Sequence, residues 1–379
     1  MFLDKLESIF NDETKDFSSL LEIKDIVLYG AGSLGEMAIN ILKEINVKPK
    51  YIIDKSKKGC IENINIITPN EIKENDKNND LFLNCISTIS RNEIENYLKE
   101  LGCKNIMHFY NYAYIKCPKL LSNGWFLDKI SKYEQKEIEK VCEALSHDEL
   151  SLNHYIQFLW EKLKVKEVIN KDFPVLSRRK YFLSPCIENQ LTDNEILLDC
   201  GADLGQTINK FIEKTNNKFN KIYAFEPNSK AYKYLKDHFG NDERILLSDK
   251  VINDKNGLVN FKEDIGGGMA SKIFEESDNI KESISIDSLN INPTIIKLHI
   301  EGNELNALLG AVKTIKKYRP LIMVFADHNK DGLYKIAKFL YSLPDYKLYF
   351  NLHDYVGNTA IFYAISNYKQ IYTFLKHDK

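Results

Sequence analysis

The segment Ile196–Asn228 sets two carboxylates around a glycine turn. An apolar run, ILLDC, carries Asp199; Gly201 and Gly205 follow and open an amphipathic stretch. A second apolar run, KIYAF, then leads into the acid Glu226. This is one βαβ half of the nucleotide-binding kind. Glu226 is placed to accept hydrogen bonds from both hydroxyls of a ribose. Gly201 and Gly205 let the backbone approach a ligand, and the N–H groups at the following helix start suit a carboxylate. Asp199 is expected under the turn, near a ligand ammonium. Ala202, Gln206, Thr207 and Pro227 complete the expected cofactor-binding set. A ribose, an ammonium and a carboxylate together describe S-adenosylmethionine.

Further along, His299, Glu301, Asp327, His328 and His353 offer groups that could take a proton from a hydroxyl. His299, Glu301 and His328 form the expected catalytic set, with His299 and His328 at the carboxyl ends of adjacent strands, where open α/β sheets bind ligands. The three histidines with Glu301 could instead hold a divalent ion. No tight ligand spacing marks such a site, so no metal is assigned. Nearer the start stands a second turn, Gly30-Ala31-Gly32-Ser33-Leu34-Gly35, a full GxGxxG. Asp54 closes the next apolar run, YIID. Gly30, Gly32, Ser33, Gly35 and Asp54 therefore form a candidate site for a nucleotide or nucleotide sugar, with Ser33 and the backbone at the pyrophosphate and Asp54 at a ribose.

The elements that must position these residues alternate between apolar runs and helical patterns. In residues 1–115, strands are expected at 25–29, 51–53 and 81–85, and helices at 34–45 and 91–101, which implies a parallel sheet. Residues 116–180 are polar and helix-patterned, a connector. From 181 to 379 seven strands are expected, at 196–200, 221–225, 244–247, 295–300, 321–325, 346–351 and 359–365. Helices are expected at 206–213, 230–238, 304–317 and 333–341. Gly266–Gly268 suggests a hairpin and a mobile loop. The expected fold is thus α/β: two Rossmann-like domains joined by a helical segment, the second a seven-stranded class I methyltransferase sheet.

Bulk composition narrows the function classes. The 52 basic and 54 acidic residues nearly cancel, giving −2, so neither nucleic acid nor an anionic membrane is an expected partner. No apolar run could span a bilayer. The start, MFLDKLESIFNDETKDF, mixes acids with apolar residues, unlike a secretion signal, and reads as a short docking helix. Seven cysteines show no paired spacing, which argues for reduced thiols and a cytoplasmic location.

Five segments of the second zone carry a resemblance: DCGADLG (199–205), YAFEPN (223–228), SIDSL (285–289), IIKLHIEGNELNALLGA (295–311) and RPLIMVF (319–325). On these the chain resembles the FkbM family of S-adenosylmethionine-dependent O-methyltransferases over about half its length. The resemblance implies methyl transfer to a hydroxyl, often on a sugar of a surface glycan or a natural product. It also supports His328 and Asp331 after the fifth strand. One position departs: the family usually reads K-(I/M)-D-(V/I)-E-G, and this chain has His299 where that aspartate is expected. The first zone resembles the small N-terminal domains of bacterial sugar N-acyltransferases, through YGAG, the strand ending in Asp54 and the segment Thr68-Pro69-Asn70-Glu71. In such relatives the pocket takes a nucleotide sugar or is degenerate.

The expected function is an S-adenosylmethionine-dependent sugar O-methyltransferase in bacterial surface glycan biosynthesis. Two alternatives stand beside it: an NAD(P)-dependent oxidoreductase of nucleotide sugars using the first glycine turn, and a non-enzymatic nucleotide-binding assembly factor. The acceptor and the oligomeric state are not legible.

Overall fold

Runs such as Ile26–Tyr29, Leu81–Asn84 and Ile196–Cys200 are buried at every position, the mark of parallel strands covered on both faces. A computed structural model describes residues 2–121, 124–127, 129–177, 179–263, 272–273 and 279–367. It divides into two compact units. One comprises Met1–Ile130, Ile156–Val175 and Asp354–Asn358; the other comprises Ser131–Tyr155, Leu176–His353 and Thr359–Lys379.

The first unit holds a six-stranded sheet. Its strands are β1 (Ile26–Tyr29), β2 (Ile52–Ile53), β3 (Gly59–Ile61), β4 (Ile64–Ile67), β5 (Leu81–Asn84) and β6 (Asn105–His108). Their order is β3-β4-β2-β1-β5-β6, parallel except for the β3–β4 hairpin. Neither β3, β4 nor β6 is anticipated from sequence: β3 and β4 are largely exposed or half-buried, and β6 begins and ends on polar residues, so none is marked by an unbroken apolar run. Leu28, Ile52 and Leu83 pack with Ala38 and Leu42 of the helix Ser33–Glu44 on one face. Val27, Ile53 and Phe82 pack with Ile94 and Leu98 of the helix Arg91–Glu100 on the other. The first helix, Phe2–Asn11, buries Leu6 and Ile9.

The second unit is built on a seven-stranded sheet. Its strands are β7 (Ile196–Cys200), β8 (Lys221–Phe225), β9 (Ile245–Ser248), β14 (Ile295–Leu298), β15 (Leu321–Phe325), β16 (Tyr346–Leu352) and β17 (Ala360–Ser366). A smaller sheet takes the intervening strands β10 (Val251–Asn253), β11 (Gly257–Lys262), β12 (Lys272–Ile273) and β13 (Ile280–Ser285). The large sheet runs β16-β17-β15-β14-β7-β8-β9, and only β17 opposes its neighbours. This is the α/β architecture expected of a class I methyltransferase. The order reverses between β14 and β7, so the crevice at their carboxyl ends is the natural ligand site. The loop Gly266–Gly268 lies outside the described residues.

The expected helix at 304–317 is interrupted. It forms as Glu304–Leu309 and Val312–Tyr318, parted at Gly310–Ala311. Gly310 packs directly against β10 and its turn: a Cβ there would lie 2.4 Å from the Asn253 carbonyl oxygen. Helix propensity alone favours alanine over glycine by about 1 kcal/mol. The close approach should reverse that sign. Gly310→Ala is expected to destabilise the protein by about 1–3 kcal/mol, measured by urea denaturation.

Candidate active site

β7 and β14 bring Asp199 and Lys297 together as registered neighbours. Lys297 Nζ lies 2.8 Å from Asp199 Oδ1, with the side chains 1% and 0% exposed. The same ammonium donates to the Gly201 carbonyl at 2.6 Å, and so ties the glycine turn to the sheet. Gly201 has φ +81°, and a Cβ on it would stand 1.9 Å from the His299 carbonyl oxygen. Only glycine fits there. Asp199 lies under the turn with its Oδ1 paired to Lys297, while its buried Oδ2 has no hydrogen-bond partner among the described residues. Burial raises the Asp199 pKa against the pull of Lys297, while Asp199 outweighs burial and holds Lys297 charged.

Glu226 follows β8 and is 6% exposed. Its Oε2 accepts from the Asp203 N–H and its Oε1 from the Asn228 N–H, both at 2.8 Å. A carboxylate has about four acceptor sites, so these two bonds leave room for the two hydroxyls of a ribose. Burial pushes the Glu226 pKa up to about 7, only partly offset by those two N–H groups. Beside it, Asp203 Oδ1 is buried with no hydrogen-bond partner among the described residues. Asp203 adopts a left-handed φ of 48°, and burial raises its pKa. Gly205 caps the helix Gln206–Lys214 without any side-chain bond, which leaves the first N–H groups open to an anion. Ala202 and Thr207 are buried, Gln206 is exposed and Pro227 is half-buried. This donor and acceptor set fits S-adenosylmethionine: a carboxylate with spare acceptor sites for the ribose, an uncompensated acid for the ammonium, and N–H groups for the carboxylate.

A second group gathers at the ends of β14 and β15. His299 Nε2 is 3.5 Å from Glu301 Oε1, and His328 Nε2 is 3.6 Å from the same oxygen. His328 Nδ1–H donates to Glu304 Oε1 at 2.6 Å. Glu304 also accepts from the N–H groups of Ile300 and Gly302 at 2.9 and 3.0 Å, so it shapes the turn that carries Glu301. His299 Nδ1 is 3.2 Å from the Tyr181 hydroxyl, and its ring stacks on Phe325 at 3.8 Å. Burial, with the charges of His328, Lys297 and Lys180 adding to it, holds His299 well below its ordinary pKa. Burial also opposes charge on His328, but Glu304 and Glu301 outweigh it and push that pKa up to about 10.

The remaining candidates lie apart from this group. Asp327 is buried and accepts from the Thr359 N–H at 2.8 Å, an anchor for the approach to β17. His353 Nδ1–H can only donate to the Leu176 carbonyl at 3.3 Å, which leaves Nε2 to accept from the Tyr363 hydroxyl at 2.8 Å. Burial drives the His353 pKa down to about 3. Asp331 opens the helix Asp331–Tyr341 and pairs with Lys335 at 2.7 Å.

The glycine turn of the first unit is built differently. Asp54 Oδ2 accepts from the Ala31 N–H at 2.9 Å, and Oδ1 accepts from the Ser56 N–H, the Ser56 hydroxyl and the Lys57 N–H at 2.8, 3.1 and 2.8 Å. Oδ1 is thus fully engaged, while Oδ2, with one bond, keeps an acceptor site. Those bonds to Lys57, Ala31 and Ser56 overcome the effect of burial and keep its pKa below the ordinary value. Lys57 Nζ donates to the Ala31 carbonyl at 2.6 Å, across the turn. Gly32 and Ser33 are exposed, whereas Gly30 and Gly35 are buried. A Cβ on Gly35 would lie 2.1 Å from the Gly30 carbonyl oxygen, so that glycine serves helix-to-strand packing.

Sequence reasoning left Lys297, Glu304, Asp203 and Tyr181 without site roles. A lysine inside the apolar run IIKL was a usable signal, since a buried charge demands a partner. Tyr181 stands 118 positions before His299, and nothing local marks the pairing.

The fold is the one expected of a class I methyltransferase. Residues 199–356 match the model of the methyltransferase FkbM domain. The protein is similar to 2-O-methyltransferase NoeI of Sinorhizobium fredii (strain NBRC 101917 / NGR234), at 20% identity over 178 residues, 40% of this chain and 72% of that protein. Its fold is similar to the crystal structure of Methyltransferase FkbM from Methylobacillus flagellatus KT, with a TM-score of 0.63 and 17% identity over 96% of this chain and 98% of that one. The protein is a methyltransferase, and the methyl donor that this family implies is S-adenosylmethionine. Among the described residues, no helix is long and apolar enough to cross a membrane.

Two outcomes test the electrostatics of the site. Lys297→Met leaves Asp199 buried without its partner and should cost about 3–5 kcal/mol in chemical denaturation. Glu226 has a folded pKa raised above its unfolded value, so the stability it confers is complete below about pH 4.5 and is lost as pH rises through about 7. Between pH 4 and pH 8 the ligand-free wild type should therefore lose on the order of 2–3 kcal/mol relative to Glu226→Gln. Parallel pH profiles for the two proteins would exclude the raised pKa.

Proposed function

We propose that the protein is an S-adenosylmethionine-dependent O-methyltransferase that acts on a sugar hydroxyl in glycan biosynthesis. The observation that carries this reading is Glu226. It is a buried acid with two acceptor sites left over, at the end of β8 and beside the uncapped helix start that follows β7, the strand at which the order reverses. The similarity to a protein named as a 2-O-methyltransferase supports oxygen as the methyl acceptor.

When bound, S-adenosylmethionine supplies an electrophilic methyl group on a sulfonium. The rest falls to this chain's own residues. Glu226 accepts from the ribose hydroxyls. Asp203 Oδ1 and Asp199 Oδ2, both buried without a hydrogen-bond partner among the described residues, would take the ammonium. The N–H groups that follow Gly205 take the carboxylate. At the ends of β14 and β15, His299 is neutral, and its Nε2 and Glu301 stand ready to receive the acceptor's hydroxyl proton. His328, held by Glu304 through Nδ1, sets the position of Glu301 in the ion-free site. A positioned base contributes about 10²–10⁴-fold to such a step.

The GxGxxG turn of the first unit is not assigned a nucleotide in this reading, because Asp54 already accepts four hydrogen bonds from its own turn and loop, against two at Glu226. That reduces the oxidoreductase alternative to the question of NAD binding.

Titration calorimetry separates the readings. S-adenosylhomocysteine should bind the wild type, and Glu226→Ala should weaken it at least about 100-fold, through loss of two hydrogen bonds to a charged acceptor. NAD should produce no heat. NAD binding that disappears in Gly32→Asp would restore the nucleotide role of the first turn. Methyl transfer to a panel of nucleotide-linked and lipid-linked sugars tests the acceptor class, and transfer to nitrogen or carbon acceptors alone would refute it.

A further inference from the structure

We propose that His299 Nε2, His328 Nε2 and a carboxylate oxygen of Glu301 bind one divalent cation of the zinc type. The potential ligand atoms of the three residues lie within 4.8 Å of one another. Both Nε2 atoms converge on Glu301 Oε1, at 3.5 and 3.6 Å. Those distances are too long for N–H···O hydrogen bonds, which end near about 3.2 Å. They suit ligands around a shared ion: at metal–ligand distances of about 2.0–2.1 Å, tetrahedral angles place neighbouring ligand atoms about 3.3–3.4 Å apart.

The surroundings are those of a metal centre. A ligating histidine commonly hands its other ring nitrogen to a carboxylate or other polar partner, which fixes ring and tautomer. His328 Nδ1–H is held by Glu304, and His299 Nδ1 by the Tyr181 hydroxyl. Phe325 stacks under His299 and fixes its plane. Glu301 is aimed by a left-handed backbone, φ 53°, a conformation that disfavours a non-glycine residue. Side-chain exposures of 30% at His299, 10% at Glu301 and 3% at His328 show that the group opens to solvent past His299. Two imidazoles favour zinc and its first-row neighbours over magnesium or calcium.

Three protein ligands leave a position for an oxygen of the acceptor. For that role, though not for ion binding itself, the inference rests on the O-methyltransferase reading. With the ion bound, which displaces any proton from His328 Nε2 to solvent, His299 Nε2 and Glu301 act as ligands in place of the base of the ion-free site, and the sugar hydroxyl, its pKa lowered by coordination, gives its proton to solvent. The oxygen lone pair then forms the O–CH3 bond, the S–CH3 bond breaks, and its electron pair stays on sulfur.

The test uses the untagged full-length protein, stripped with a chelator and titrated with Zn2+ and with Co2+ as its coloured surrogate. One ion per chain and a tetrahedral Co2+ absorption band are expected. His299→Ala and His328→Ala should each abolish the band while S-adenosylhomocysteine binding is kept. Tyr181→Phe should lower Zn2+ affinity about 10–100-fold through loss of ring orientation. A wild type that binds less than one ion, or histidine variants that bind as tightly as wild type, would overturn the proposal. Stoichiometric Co2+ binding without methyl transfer to any sugar would uphold the ion site and sink the acceptor reading.

Discussion

Lys297 and Asp199 meet across β14 and β7 at the point where the sheet order reverses, and both are out of water. A buried pair of this kind is not there for net stability, because the loss of hydration roughly cancels the attraction. Its effect is geometric. Neither charge can leave without exposing the other to an apolar interior, so the register between the two strands is fixed. The same ammonium holds the Gly201 carbonyl, so the glycine turn is set at a fixed height above the sheet. The turn in turn presses on the His299 carbonyl, where no side chain fits. The donor side and the histidine side of the site are thus positioned by a single contact.

From that anchor the two halves of the chemistry separate cleanly. Toward β8 the groups suit an amino acid and a ribose: Glu226 with spare acceptor sites, Asp203 with an orphaned oxygen, and an uncapped helix start. Toward β15 the groups suit an oxygen nucleophile. Glu304 is central there, because one buried carboxylate shapes the Ile300–Gly302 turn and orients His328. The replacement of a family aspartate by His299 fits this second half. A neutral imidazole stacked on Phe325 keeps a lone pair available in surroundings where a second carboxylate beside Glu301 would raise the cost of burying charge.

The two glycine turns of the chain show how similar motifs reach different outcomes. Each lies between a strand and a helix, and each is followed by an acid at the end of the next strand. Asp54 accepts four hydrogen bonds from Ala31, Ser56 and Lys57, so its carboxylate completes its own loop. Glu226 accepts two, from Asp203 and Asn228. The difference lies in the loop that follows each acid. After Asp54 the chain folds back on it. After Glu226, among the described residues, only the Asn228 N–H turns back, where Asp54 receives Ser56 and Lys57 together.

Much of this was legible in the residues alone. All seven strands of the large sheet were marked by apolar runs, because strands buried on both faces need unbroken hydrophobicity. Glu226 and the His299–Glu301–His328 set were marked by charged or titratable residues at strand ends. The short strands β3, β4 and β6 and the break at Gly310 were not marked, since the first lack an unbroken apolar run and the second depends on a distant carbonyl. The sequence alone determined which groups stand at the carboxyl ends of the strands, since periodicity fixes where each strand stops. Only the tertiary structure decided how those groups are used. Asp199 was drawn to Lys297, His353 to Tyr363, Asp54 to its own loop, and His299 and His328 to one oxygen of Glu301. The physical reason is that a polar group's role depends on which partners satisfy it, and those partners lie far off in the chain, 118 positions for Tyr181 and His299 and 177 for Leu176 and His353.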